Sequence, residues 1–229
     1  MKDVLTGMKI PRFQYDMPTR PDCDFYALCA GPQPLVLVFL PNFGHPISRQ
    51  YLTRYLQSHD RLQSGRLACV VRSTPQRIAQ LLNGAEFPFA LICDAEGVLY
   101  DLFEVKTTRS VLDWTPEAAR IFRQARQQGY QPQRGEAQLL PLTMVVGAEG
   151  QVLYAHHGKS LTDLPEDCAA IEQVCAHLGG TAQEAAVVPP PAEAEALDTV
   201  LLPAEETQTA AEDTAPAAPA ADEVTAQPG

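Results

Sequence analysis

Three groups of residues in this sequence have types and spacings that could do chemistry. His45 and Ser48 bracket Pro46 and Ile47. An imidazole near a hydroxyl could form a nucleophilic dyad in which the ring removes the serine proton. Such a dyad also needs an orienting acid and oxyanion donors, and neither is identified along the chain. His156-His157 looks like a metal-ligand pair. Adjacent strand residues face opposite sides of a sheet, however, so one ring is expected packed and the other solvated. Six cysteines stand at 23, 29, 69, 93, 168 and 175, with no C-x-x-C pair among them. Cys69 and Cys93 fall inside apolar runs and read as buried small hydrophobes. Cys168 and Cys175 share a helical face about 10 Å apart by rise, beyond disulfide reach. Cys23 and Cys29 lie outside the predicted strands and are the thiols open for redox chemistry. No disulfide framework, metal site or cofactor is expected.

The elements that must position these residues alternate. Leu35–Leu40 is a continuous apolar run between Pro34 and Pro41 and reads as a fully buried strand. His45-Pro46 opens a helix, with Ile47, Tyr51, Leu52, Tyr55 and Leu56 at helical spacing; Arg49 and Arg54 make it an ordinary amphipathic helix. Leu67–Val71 is a second strand. Thr74-Pro75 caps and starts a helix that ends at Asn83-Gly84. Phe89–Cys93 is a third strand, followed by a turn at 94–97 and a resumed extended segment over Val98–Tyr100. Residues 114–128 form a helix capped by Thr115 or Asp113 and ended by Gly129. Leu142–Val146 and Gln151–His156 form a hairpin around 148–150. A last helix, about 165–178, is expected to stop at Gly179-Gly180.

This order predicts an α/β protein: a central mixed sheet flanked by helices on both faces. It is the thioredoxin-like arrangement, although a flavodoxin-like sheet would start similarly.

The strings themselves carry a resemblance. Phe39-Leu40 followed by Asn42-Phe43-Gly44-His45-Pro46-Ile47-Ser48-Arg49 resembles the active-site segment of peroxiredoxin-like (AhpC/TSA-type redoxin) proteins. There a strand ends in aromatic-Gly-Cys-x-x-Cys at the start of the first long helix. Val70–Pro75, Phe87–Asp94, Leu140–Val146 and Tyr154–Gly158 are similar to later strands of that family, in the right order, over about residues 13–178. The resemblance implies thiol-dependent peroxide reduction, a cis-proline at Pro141 facing the active site (Pro88 is the other candidate), and a degenerate motif here. His45 and Ser48 stand where relatives carry cysteines, and the basic residue often preceding the motif is replaced by Pro41-Asn42.

The replacement changes the chemistry. A cysteine at a helix N-cap is activated by the unpaired backbone N–H groups and the macrodipole, worth at most about 2 kcal/mol, or about 1.5 pKa units. Neither imidazole nor hydroxyl can form a sulfenic acid or a disulfide. The dipole should favour neutral His45. Three readings stay open: surface residues capping a helix in a degenerate site, a retained binding site holding a carboxylate or anion with His45, Ser48 and free helix N–H groups, and the His-Ser dyad.

Composition sets the remaining bounds. The chain has 229 residues with 28 acidic and 17 basic side chains, net charge −11. Ten of those acids lie in 182–229, which has no Lys, Arg, Cys or aromatic residue; removing them leaves 18 acids against 17 bases. Residues 1–181 are therefore expected to form the thioredoxin-like domain, and 182–229 a disordered acidic Ala/Pro/Glu-rich tail. Within the tail, Leu197–Leu202 is an apolar island that could dock on a partner. Arg109, Arg120, Arg123, Arg126 and Arg134 are interspersed with acids and read as a solvated face, so nucleic acid is not an expected partner. No apolar stretch is long enough for a membrane span or signal peptide, which predicts a soluble cytoplasmic protein. The partner is left as a protein or small molecule, with a homodimer open, and a scaffold role for the acidic tail is a further alternative.

Overall fold

The computed structural model describes residues 5–109, 114–131 and 138–185, the last seven by backbone alone. Two short strands, β1 (Gln14–Tyr15) and β2 (Cys23–Asp24), pair antiparallel ahead of a one-turn helix, α1 (Phe25–Cys29). Then come β3 (Leu35–Leu40), α2 (Pro46–Gln57), β4 (Arg66–Val71), α3 (Pro75–Leu82), β5 (Ala90–Cys93) and α4 (Val98–Leu102). The chain continues through β6 (Thr107–Thr108), α5 (Pro116–Gln127), β7 (Gln138–Leu139), β8 (Leu142–Val146), β9 (Val152–His157) and α6 (Cys168–Ala185).

The main sheet has the order β5-β4-β3-β8-β9. Strands β3, β4 and β5 run parallel, with Val38 opposite Cys69 and Cys69 opposite Leu91. Strands β8 and β9 run antiparallel, with Phe39 opposite Leu142. The antiparallel pair on the far side of β3 gives the thioredoxin-like arrangement and excludes a flavodoxin-like sheet.

The unbroken apolar runs of β3 and β4 follow from burial on both faces. Because side chains alternate, the odd and even members of each run enter different cores. Val36, Val38 and Leu40 pack with Ile47, Tyr51, Tyr55, Ile121, Phe122 and Ile171. Leu35, Leu37 and Phe39 pack with Ile10, Phe25, Leu99, Tyr100 and Phe103. Helices α2, α3, α5 and α6 thus cover one face, while α1, α4 and the N-terminal segment cover the other.

The cap signals behave as read. Thr74 and Thr115 accept N–H groups of the first turns of α3 and α5, each with proline at the first helical position. Two expectations are corrected. Val98–Tyr100 is not extended; it belongs to α4. The Asp94 carboxylate accepts the N–H groups of Gly97, Val98 and Leu99 at 2.8–3.1 Å, satisfying the orphan donors of a helix start from below the turn. Helix α6 begins at Cys168 and runs through Gly179 and Gly180 to Ala185, past the expected stop. A glycine costs a helix about 1 kcal/mol, which lowers its stability without ending it. The tail beyond 185, Leu197–Leu202 and Arg134 lie outside the described residues.

Candidate functional site

The site is built at the carboxyl ends of β3 and β4, where the chain leaves the sheet into α2 and α3. Crevices at this end of an open α/β sheet are where ligands bind. The loop 41–45 is pinned at several points. The Phe43 N–H donates to the Ser73 hydroxyl at 2.9 Å, and the His45 N–H donates to the Asn42 carbonyl at 3.0 Å. Ser48 is fully buried and its hydroxyl donates to the Pro41 carbonyl at 3.1 Å. The Tyr100 hydroxyl lies between the carbonyls of Leu40 and Val70, behind the loop.

His45 is the N-cap of α2 and Pro46 its first residue. The Ile47 N–H donates to Nδ1 of His45 at 3.3 Å. A backbone N–H can only donate, so Nδ1 is the acceptor and the proton of the neutral ring sits on Nε2. That nitrogen lies 2.8 Å from Oε1 of Gln138 in β7 and donates to it. The ring meets Phe122 and Tyr130 edge to face, with centroids 5.3 and 6.3 Å away. At 5 % exposure, His45 is buried, and burial lowers its pKa, only partly offset by the Gln138 hydrogen bond. The neutral form expected from the helix dipole is therefore enforced chiefly by desolvation.

All three readings of the motif change here. His45 and Ser48 cap and brace the helix, but they are buried and not on the surface. Both imidazole nitrogens and the serine hydroxyl are committed elsewhere, which leaves no His45–Ser48 hydrogen bond for a dyad. The helix N-terminus is also less open to an anion than expected. Pro46 has no N–H, the Ile47 N–H is held by His45, and the Arg49 N–H donates to the His45 carbonyl.

The alternative thiols are buried, Cys23 at the wall of an open cavity that Tyr15, Arg20 and Asp24 also line. Cys23 belongs to β2, contrary to the expectation that it lies outside the strands, and Cys29 ends α1; both are buried. Arg20 Nε donates to the Cys23 sulfur at 3.2 Å. Burial pushes the Cys29 thiol up to about 11. It likewise raises Cys93 to about 12 and Cys175 to about 11. All six cysteines are free.

Pro141 enters β8, buried, and its carbonyl accepts the Gly158 N–H at 2.8 Å. Residues just before it form β7, which brings Gln138 onto His45. His156 pairs with Asp163 at 3.1 Å and His157 lies 3.3 Å from the Phe103 carbonyl, so the two rings have separate partners. No cluster of three metal-ligating side chains exists among the described residues. Arg54 is ion-paired to Glu117 at 2.8 Å, and Arg120 lies 3.9 Å from the same carboxylate. No helix among the described residues is long and apolar enough to cross a membrane.

A family model described as "AhpC/TSA antioxidant enzyme" matches residues 51–160, beginning downstream of Ser48. The fold is shared with peroxidoxin BcpB from Mycobacterium tuberculosis at TM-score 0.52 and 16% identity, over 78% of this chain and 98% of that one. A variant of the peroxiredoxin 6 of Arenicola marina matches at TM-score 0.55 and 14% identity, over 79% and 76%. A variant of Xylella fastidiosa PrxQ matches at TM-score 0.51 and 16% identity, over 77% and 96%. No curated protein sequence matches the chain. The chain has the thioredoxin-like fold of these proteins, and its residues 51–160 match the AhpC/TSA family model.

Within this thioredoxin-like fold the motif loop faces an open cavity of about 420 Å³, lined by Asn42, His45, Arg72, Thr107 and Gln138 among others. Sequence reasoning missed Gln138 as a partner of His45, since 93 positions separate them. Its place three residues before Pro141 was the available signal.

Proposed function

We propose that this peroxiredoxin-like chain has no thiol-peroxidase chemistry at the motif position and acts by binding, as a ligand-responsive or regulatory protein. The observation that carries the reading is the buried His45 ring with both nitrogens hydrogen-bonded, at the position where the resemblance would put the thiol. A peroxidatic thiolate must attack peroxide oxygen and pass through a sulfenic acid, and imidazole supports neither step. Five of the six thiols are buried and Cys93 is half-buried, and in Cys29, Cys93 and Cys175 desolvation raises the pKa well above neutral. Six free cysteines also support a reducing, cytoplasmic setting.

One observation favours the second reading, an oxidoreductase working through Cys23, because the Arg20 guanidinium sits against that sulfur. Trapping with a sulfenic-acid probe after peroxide exposure, followed by peptide mapping, separates the two. The binding reading expects no labelled cysteine in the folded protein; labelling at Cys23 would overturn it.

A further inference from the structure

Beside His45 lies a cavity of about 420 Å³, within the size class of small-molecule sites. Its charge among the described residues is one-sided: Arg72 is cationic, Asn42, Thr107 and Gln138 are polar, and no described lining residue is acidic. Pro41, Ala95 and Leu139 supply apolar wall.

Arg72 is the residue that gives the cavity its character. It follows the last residue of β4, is exposed, and makes no ion pair with any described residue. Its guanidinium lies against a ring and a turn. The ring of Tyr100 lies 5.8 Å away, and a Cβ at Gly97 would stand 3.0 Å from Cζ. Only glycine at 97, with φ +83°, lets the guanidinium lie against that turn. Asp94, in the same turn, spends its carboxylate on the N–H groups that start α4 and so does not pair with Arg72. Tyr100, in turn, is fixed by its hydroxyl against the ends of β3 and β4. The result is an exposed planar cation at the carboxyl end of the sheet with no ion-pair partner among the described residues, the group best suited to grip a carboxylate through two parallel hydrogen bonds.

We infer that this cavity binds a small organic carboxylate, with the carboxylate on Arg72 and the apolar body against Pro41, Ala95 and Leu139. The inference rests on the reading that the motif site binds and does not react, and it adds the ligand class. Neutral His45, donating to Gln138, forms the uncharged floor, so Arg72 alone carries the charge recognition.

Calorimetric titration of the full chain with hexanoate, hexanamide and inorganic phosphate at pH 7.5 tests it. Hexanoate should saturate one site, with hexanamide and phosphate each about tenfold weaker or worse, as expected for loss of a charge-assisted contact or of apolar burial. Arg72→Gln, with circular dichroism and Tm unchanged, should weaken hexanoate by a similar factor, and Ala95→Trp, which fills the mouth, should do the same. Equal binding of hexanoate and hexanamide overturns the inference, as does phosphate binding as well as hexanoate. So does hexanoate binding untouched by Arg72→Gln, or no binding at all. A chain that fails these titrations yet consumes no peroxide sinks only the ligand assignment; peroxide turnover sinks the reading beneath it.

Discussion

Nε2 of His45 donates to Oε1 of Gln138 at 2.8 Å, joining the start of α2 to a two-residue strand 93 positions later. The contact makes His45 a structural tie. Gln138→Leu should leave the buried Nε2–H without its acceptor and cost about 1–2 kcal/mol, read by urea denaturation. An unchanged midpoint would mean that the ring is held by its aromatic neighbours alone.

The lowered pKa of His45 predicts a pH dependence with a definite sign. The unfolded ring titrates near about 6.5 and the folded ring lower. Between those values the unfolded chain binds more protons, so stability rises with pH. The contribution is fully present above the unfolded value and is lost as pH falls through the folded one. Asp163, whose carboxylate is held below its ordinary range by hydrogen bonds from Lys159 and His156, acts in a more acidic window. His45→Asn keeps a side chain able to cap the helix and cannot titrate. Thermal melts of this variant should be flatter than wild type just below pH 6.5, and parallel curves would exclude His45 as the source.

Gly158 supports Pro141 by leaving room for it. A Cβ there would stand 2.7 Å from Cγ of Pro141 and 2.8 Å from the carbonyl oxygen of Asp163. Gly158→Ala should therefore destabilise by about 1–3 kcal/mol through overpacking. Chemical denaturation checks this, and a neutral result would show that the loop 158–163 yields freely.

If the scaffold still activates an N-cap thiol, His45→Cys should restore one. The introduced sulfur would stand at the start of α2 beside the open cavity, where the helix terminus favours a thiolate. Iodoacetamide at pH 7.5, followed by peptide mass, should modify that position faster than any native cysteine. Labelling no faster than at Cys23 would show that the loop no longer provides the environment.

Much of this was readable from sequence because the signals are local. The apolar runs at 35–40 and 67–71 carry their strand lengths on their face, and proline after threonine marks the starts of α3 and α5. His45-Pro46 gave the cap of α2 in the same way. What was not readable depends on partners distant in sequence or on burial. Val98, Leu99 and Tyr100 favour a strand by type, and only the Asp94 carboxylate folding back on their N–H groups makes them helical. Arg72 lacks any local mark of a site and Gln138 has only its place before Pro141; the fold brings both to the cavity beside His45. The burial of Cys23 and Cys29 follows from the β1–β2 pair and α1 packing over the sheet, which composition does not reveal.

The central claim is that replacing the thiol with a buried, fully hydrogen-bonded His45 removes the peroxidase reaction. Steady-state hydrogen peroxide consumption by the wild-type chain, with dithiothreitol or thioredoxin as reductant, tests it most directly. The account predicts a rate equal to the protein-free control. Sustained turnover comparable to that of a peroxiredoxin would contradict it.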